Sequence, residues 1–540
     1  MTSGKESPEG DIQLVSPQGQ QAGGSAGARD DDVTLERLGK KPVLNRTFGF
    51  MTSLGFSCTV LITWEGSLFV FLSGLTNGGP SGVVYGYMLI WVGMLSLMAT
   101  LAELVSMAPT SGGQYHWVSM LAPLRYQRFL GYMTAWLTVT GWQATLASSS
   151  LLTGTLIQNI VLLTHPSYAE RMENWHGTML LWAVLLLIYA INTSLPRLFV
   201  KFEGYAFVLH LLGFFAVMLP LIFLGEKTSS ANVWNQFKNM GEWHTQGLSF
   251  CIGIIGTVFA FAGADAAIHL SEEICDAAIV VPRALIATVV VNGTLGFAMI
   301  LTTLYCMGDL DAALAENPHY PFMAIFRNAV GSTAGATVMA SIVIAMLFVA
   351  CTGVIASTSR LFWALSRDRA IPGWSFLKKT SPRTNIPRNA VAACAVIAGV
   401  LSLINIGNAT AFDGVISISI AGLNGSYLMV ASLLLYRRLT GGIHDPRGGV
   451  EAEEEVRNTI GSRVAWGPWR LPGAWGVLNN VVTCCFLVFV LFFSFWPTDR
   501  HITPASMNWA VLVTVAVLAF SVAYYFLHAR KVYKGPLIEI

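Results

Sequence analysis

Residues 50–73 read FMTSLGFSCTVLITWEGSLFVFLS, and the one charged residue in that run is Glu65. The hydrocarbon core of a bilayer is about 30 Å thick and takes roughly 20 residues of α-helix to cross, so this run can span it. Outward from it, comparable segments fall near 83–107, 129–163, 178–193, 203–225, 248–270, 284–306, 337–361, 389–407, 413–436, 474–496 and 507–528. Composition agrees, with 54% hydrophobic and 11% charged residues, where soluble domains carry about 25% charged. The expectation is an all-α integral membrane protein of about twelve transmembrane helices, with the lipid bilayer as its main solvent. Basic residues are scattered between apolar runs, which argues against a nucleic-acid partner. No nucleophile triad, nucleotide loop or metal-ligand spacing is present, so neither an enzyme nor a cofactor is expected. The eight cysteines lie in or beside apolar runs and read as small packing residues.

Orientation follows from the basic residues. With the N-terminus inside, 27 of the 32 Lys and Arg fall on the inner side and 5 on the outer, the bias expected of cytosolic segments. Both termini are therefore expected in the cytosol. The division this suggests is a disordered N-terminal tail over 1–46 and a ten-helix core over 47–436. A cytosolic loop over 437–472, two further helices over 473–530 and a short tail over 531–540 follow. The first forty-odd residues are polar and lack the apolar core of a signal peptide. Asn45, Asn192, Asn292, Asn408 and Asn424 begin N-x-S/T triplets, and of these Asn408 lies near an outer loop.

An ionisable group at the bilayer centre costs about 2.5–3.5 kcal/mol or more, so each one in a span calls for a reason. Glu65 sits mid-run in Ile62-Thr63-Trp64-Glu65-Gly66-Ser67, a β-branched, aromatic, acidic and glycine-containing string with poor helix propensity. Asp265 follows Phe259-Ala260-Phe261-Ala262-Gly263-Ala264, with Gly253 and Gly256 just upstream. His210 and His269 are the other buried candidates, and Glu103 and Asp413 lie nearer run ends. Interrupted helices at the first position of two successive five-span halves point to an inverted-repeat transporter with its site at the breaks. Thr63, Trp64, Glu65, Gly66 and Ser67, facing Phe261, Ala262, Gly263 and Asp265, are the expected substrate-binding residues.

After the second run the chain reads Ala102-Glu103-Leu104-Val105-Ser106-Met107-Ala108-Pro109-Thr110-Ser111-Gly112-Gly113-Gln114-Tyr115-His116-Trp117. This closely resembles the A-E-L-x-S-x-x-P-x-x-G-G-x-Y-x-W signature of the amino acid–polyamine–organocation permease superfamily. Ser271-Glu272-Glu273 with Val281-Pro282-Arg283-Ala284 resembles a second element, although Asp276-Ala277 stands where Asn-Pro is usual. Ser357-Thr358-Ser359-Arg360, running on to Arg367-Asp368 and Ile371-Pro372, resembles a third. The Thr63-Trp64-Glu65 string, Gly74–Pro80 and Gly112–Ser119 look like the fungal amino acid/choline branch, whose members are GABA permeases, choline transporters and amino acid permeases.

The resemblance implies a five-plus-five inverted repeat with discontinuous first and sixth helices, two peripheral helices, and alternating access around a midplane site. It implies a symporter in the fungal plasma membrane, importing a small amine such as GABA, choline or a related amino acid with a proton as coupling ion. Trp64-Glu65-Gly66 stands where many amino acid members carry Gly-x-Gly. Glu65 is then either the counter-charge to the substrate amine, assisted by Trp64, or the group that carries the proton. Glu103, Glu272, Glu273, Arg283 and Arg360, at inner helix ends, are the expected gating charges. The competing class is a nutrient-sensing receptor on a transporter scaffold, which binds its solute without moving it.

Overall fold

The computed structural model describes residues 24–194, 196–308, 320–407, 409–445, 456–503 and 507–539. Helices are α1 Gly24–Arg37, α2 Phe50–Leu61, α3 Thr63–Thr76, α4 Gly79–Met107, α5 Gln114–Leu121, α6 Gln127–Thr164, α7 Asn174–Ser194 and α8 Pro196–Leu224. Next come α9 Ser230–Asn235, α10 Gln246–Gly253, α11 Ile255–Phe259, α12 Ala266–His269, α13 Ala277–Cys306, α14 Pro321–Val330 and α15 Thr333–Arg367. The chain ends with α16 Trp374–Leu377, α17 Arg388–Leu401, α18 Leu403–Gly407, α19 Ala409–Leu439, α20 Gly473–Ser494, α21 Ala510–Tyr524 and α22 Arg530–Val532. Among the described residues there is no strand, only isolated bridges such as Phe48 with Ile274.

Eleven helices among the described residues are long and apolar enough to cross a bilayer. The count differs from the expected twelve because the apolar segment 248–270 folds as three short pieces, α10, α11 and α12. Its glycines explain the fragmentation. A Cβ on Gly256 would meet Ser73 Oγ at 2.1 Å, so α11 lies hard against α3, and Gly263 takes φ +96° beside Val60. The first run also breaks, at Ile62, whose φ of 36° and ψ of 48° are left-handed. A β-branched residue there is strained, at a cost of about 1–3 kcal/mol. Only Ile62 separates α2 from α3.

Close backbone contacts organise the interior. α6 meets α19 where Gly141 and Gly422 face each other, and a Cβ on Gly141 would lie 2.7 Å from the Leu423 amide nitrogen. α4 is tied to α13 by Trp91 donating to Val289 O and Tyr87 to Gly293 O, both at 2.9 Å. Outward faces carry Leu186, Val208, Leu212, Phe223 and Leu527, all exposed, as lipid-facing helix surfaces require.

Of the tail expected to be disordered over 1–46, residues 1–23 lie outside the described residues; in the remainder α1 forms, and Leu35 and Leu38 are buried. The chain then straps across one end of the bundle. Lys40 Nζ lies 2.6 Å from Asp368 Oδ1, and the C-terminal segment closes over the same point, with Leu537 N donating to Asp368 and Glu539 N to Gly39 O. Tertiary partners far away in sequence order these polar stretches, so local composition did not reveal them. Burial opposes ionisation of Asp368, but Lys40, Arg367 and the Leu537 amide outweigh it and hold the carboxyl below its usual range.

Candidate functional site

The break at Ile62 aims the first turn of α3 into the interior. Glu65 and Trp64 are buried, and both turn toward α8. Glu65 Oε1 lies 2.9 Å from His210 Nδ1, and the Trp64 indole N–H donates to the same nitrogen at 3.2 Å. Behind His210, Asn292 of α13 donates through Nδ2 to Cys58 O and presents Oδ1 to His210 Nε2, both at 2.9 Å.

Hydrogen-bond chemistry then fixes the protonation pattern. A carbonyl oxygen only accepts, so the Cys58 contact sets the Asn292 amide, and His210 Nε2 must carry a hydrogen. At the other nitrogen, a 2.9 Å contact with a carboxyl oxygen needs one proton between them: on Oε1 it leaves the Nδ1 lone pair to accept from Trp64 as well, and on Nδ1 it displaces the Trp64 donation. Without it, an anionic oxygen would face an imidazole lone pair. Glu65 and His210 therefore hold one exchangeable proton as a unit, and its loss turns an attraction into a repulsion. Glu65 Oε2 has no hydrogen-bond partner among the described residues.

The second break lies alongside. A Cβ on Gly66 would meet Ala260 Cα at 3.3 Å, so the α3 start packs on the turn that follows α11. Ser67 donates to Thr63 O, and Thr63 Oγ1 is unpartnered among the described residues. Phe261 and Ala262 border a small cavity of about 10 Å³, with Met94, Met98, Leu423 and Tyr427 among its walls. That is about the space of one water, too small for a solute molecule. Neither Trp64 nor Glu65 lines this cavity. Trp64 packs its ring edge-on to Phe214 instead, with centroids 6.1 Å apart.

Asp265 stands apart from Glu65. It accepts from Gln114 Nε2 at 2.8 Å, lies 3.7 Å from His269 Nε2, and is reached by the Tyr427 hydroxyl. His269 stacks edge-on against Trp142 and contacts Ser111 O. Asp265 thus fastens the end of the broken segment to α5 and α19.

Three of the five expected gating charges gather at the tail-bearing end. Arg360 donates to Glu273 at 2.8 Å, and Arg367 grips Glu272 with two bonds of 2.9 and 3.0 Å. Glu272 also accepts from the Ser111 amide. Burial disfavours its ionised form, yet Arg367, the Ser111 N–H and Lys40 together hold it below the usual carboxylate range. Glu103 lies elsewhere, bonded to Arg438 and to the Leu471 amide. Arg283 is exposed and joins no ion pair among the described residues.

Residues 48–517 match the amino acid permease family. The chain is 28% identical to the choline transporter of Saccharomyces cerevisiae, over 90% of this chain and 82% of that one. It is 28% identical to amino-acid permease BAT1 of Arabidopsis thaliana, over 94% and 96%, and 26% identical to amino-acid permease 2 of Neurospora crassa, over 94% and 89%.

Proposed function

Because the chain belongs to the amino acid permease family, we propose that it is a proton-coupled importer of a small amine-bearing solute, with GABA, choline and related amino acids as the substrate class. In this reading the α10–α12 segment is a twelfth, discontinuous span. The first ten spans form a five-plus-five inverted repeat with α20 and α21 peripheral, and both tails face the cytosol at the fungal plasma membrane.

The observation that carries the proposal is the Glu65–His210 contact at a strained helix break. A buried carboxyl and imidazole sharing one proton are suited to load it from one side and lose it to the other. Of the two roles open to Glu65, proton carrier fits better than counter-charge, since one oxygen is committed to His210 and the side chain lies off the cavity. A zwitterionic substrate would meet the positive end of α3 through its carboxylate and the apolar walls beside Phe261 and Ala262 through its carbon chain. Protonation ties α3 to α8, and deprotonation weakens that tie, which couples proton occupancy to the position of the half-helix. Glu272–Arg367 and Glu273–Arg360 close the cytosolic end, while Glu103 and Arg283 have no part in that closure.

The test is uptake of radiolabelled GABA, choline and neutral amino acids at pH 5 and pH 7 in cells lacking their own permeases. Transport of one of these that rises at least several-fold at the acid pH supports the reading. Saturable binding without uptake would instead favour a receptor.

A further inference from the structure

We infer that Glu203 is a second proton-carrying carboxyl, placed on the cytosolic side of the Glu65–His210 pair, through which the proton leaves. This rests on the proton-coupled reading above and extends it to a residue near the edge of its apolar run.

Glu203 and His210 are seven residues apart on α8, two turns on the same face and about 10 Å along the axis. Glu203 is buried, at 1% exposure. Its Oε2 lies 2.6 Å from Thr59 Oγ1, and its Oε1 has no partner among the described residues. No charged side chain bears on it among the described residues. A purely structural role fits this badly, because an unpaired polar oxygen in a buried site costs about 1–3 kcal/mol that a well-packed apolar residue would not incur.

The neighbouring hydroxyl suits both protonation states. Thr59 Oγ1 carries one hydrogen and faces Gly55 O and Phe56 O at 3.0 Å as well as Glu203. When Glu203 is protonated, its O–H donates to Thr59, whose own hydrogen stays on a helix carbonyl. When Glu203 is ionised, the Thr59 hydrogen turns to the carboxylate. Thr59 is also adjacent to Cys58, whose carbonyl holds the Asn292 amide and whose Sγ lies 3.8 Å from Thr288 Oγ1. Polar groups of α2, α8 and α13 therefore form one ladder from the shared proton toward the tails. The titratable groups on it are Glu65, His210, Cys58 and Glu203.

The step is a proton transfer. The Glu65–His210 pair gives up its proton, ionised Glu203 takes it on a carboxyl oxygen, and water at the cytosolic end receives it. The two stations do not touch, so water must enter between them when α2 moves. The left-handed break at Ile62 is the point at which α2, carrying Thr59, would bend away from α3.

Purified protein in liposomes tests this with GABA and choline as probes. Counterflow exchange at symmetric pH is compared with accumulation driven by a pH gradient, for wild type, Glu203→Gln and Glu203→Asp. The expected result is exchange by Glu203→Gln within about two-fold of wild type, pH-driven accumulation down at least ten-fold, and accumulation recovered in Glu203→Asp. Undiminished accumulation in Glu203→Gln overturns the inference, as does equal loss of exchange and accumulation. If wild type itself moves no protons with either probe, the proton-coupled reading fails and this inference with it.

Discussion

Glu272→Gln should open the tail-bearing end of the protein. Arg367 and Glu272 are 9% and 1% exposed and joined by two hydrogen bonds. Removing one partner of such a buried pair costs about 3–5 kcal/mol. Arg367 would keep Glu539 at 3.6 Å and its place over Trp363, 4.5 Å from the ring centroid, which argues for the lower end, about 3 kcal/mol. If the pair exists only in the closed form, that is roughly a 100-fold rise in the open population. The assay is the alkylation rate of Ala267→Cys, buried on α12, by an impermeant maleimide in inside-out vesicles lacking the exposed native cysteines. We expect labelling about 100-fold faster in Glu272→Gln and unchanged in Arg283→Ala. Equal rates in wild type and Glu272→Gln would refute the gating argument. The sign with pH is also fixed. The folded Glu272 carboxyl is held below its unfolded value, so the latch is at full strength above about pH 4.3. It is lost only as pH falls through the depressed value, leaving closure insensitive to pH between 5 and 8.

Gly141→Ala should lower the thermal midpoint by a few degrees, since its Cβ would press on the Leu423 backbone nitrogen at 2.7 Å and overpacking costs about 1–3 kcal/mol. An unchanged midpoint would mean that α6 and α19 separate more easily than their glycine contact implies. His116 on α5 is held down to about 4 by burial and by Lys40, so it is neutral when folded. Its contribution of about 3 kcal/mol is present above pH 6.5 and lost as pH falls toward 4. His116→Gln should flatten the fall in thermal midpoint over that range.

Much of the architecture was readable because lipid imposes a simple rule: long apolar runs become helices. The broken segment near Gly253, Gly256 and Gly263 and the weak string at Ile62 were legible for the same reason, as lapses in otherwise good helix. Partners were harder to read. Glu65 stood out as an acid in a span, but His210 is 145 residues away and Asn292 looked like a sugar-acceptor triplet. Asn292 has no local signal, because its role depends on a carbonyl of α2. Glu203 sits at the border of its run, where charges are ordinary, and only its burial sets it apart. Glu103 carries the right charge at the right helix end, yet it bonds to Arg438 across a different interface. The N-terminal strap was missed because Lys40 and Asp368 are ordinary surface types until a buried contact joins them.

The central claim is that Glu65 and His210 share the proton that drives uptake. Its most direct test is the pH inside dye-loaded proteoliposomes when GABA or choline is added outside. The account predicts substrate-evoked acidification by wild type, and its loss in both Glu65→Gln and His210→Gln while counterflow exchange persists. Substrate-evoked acidification of wild-type size in either variant would contradict it.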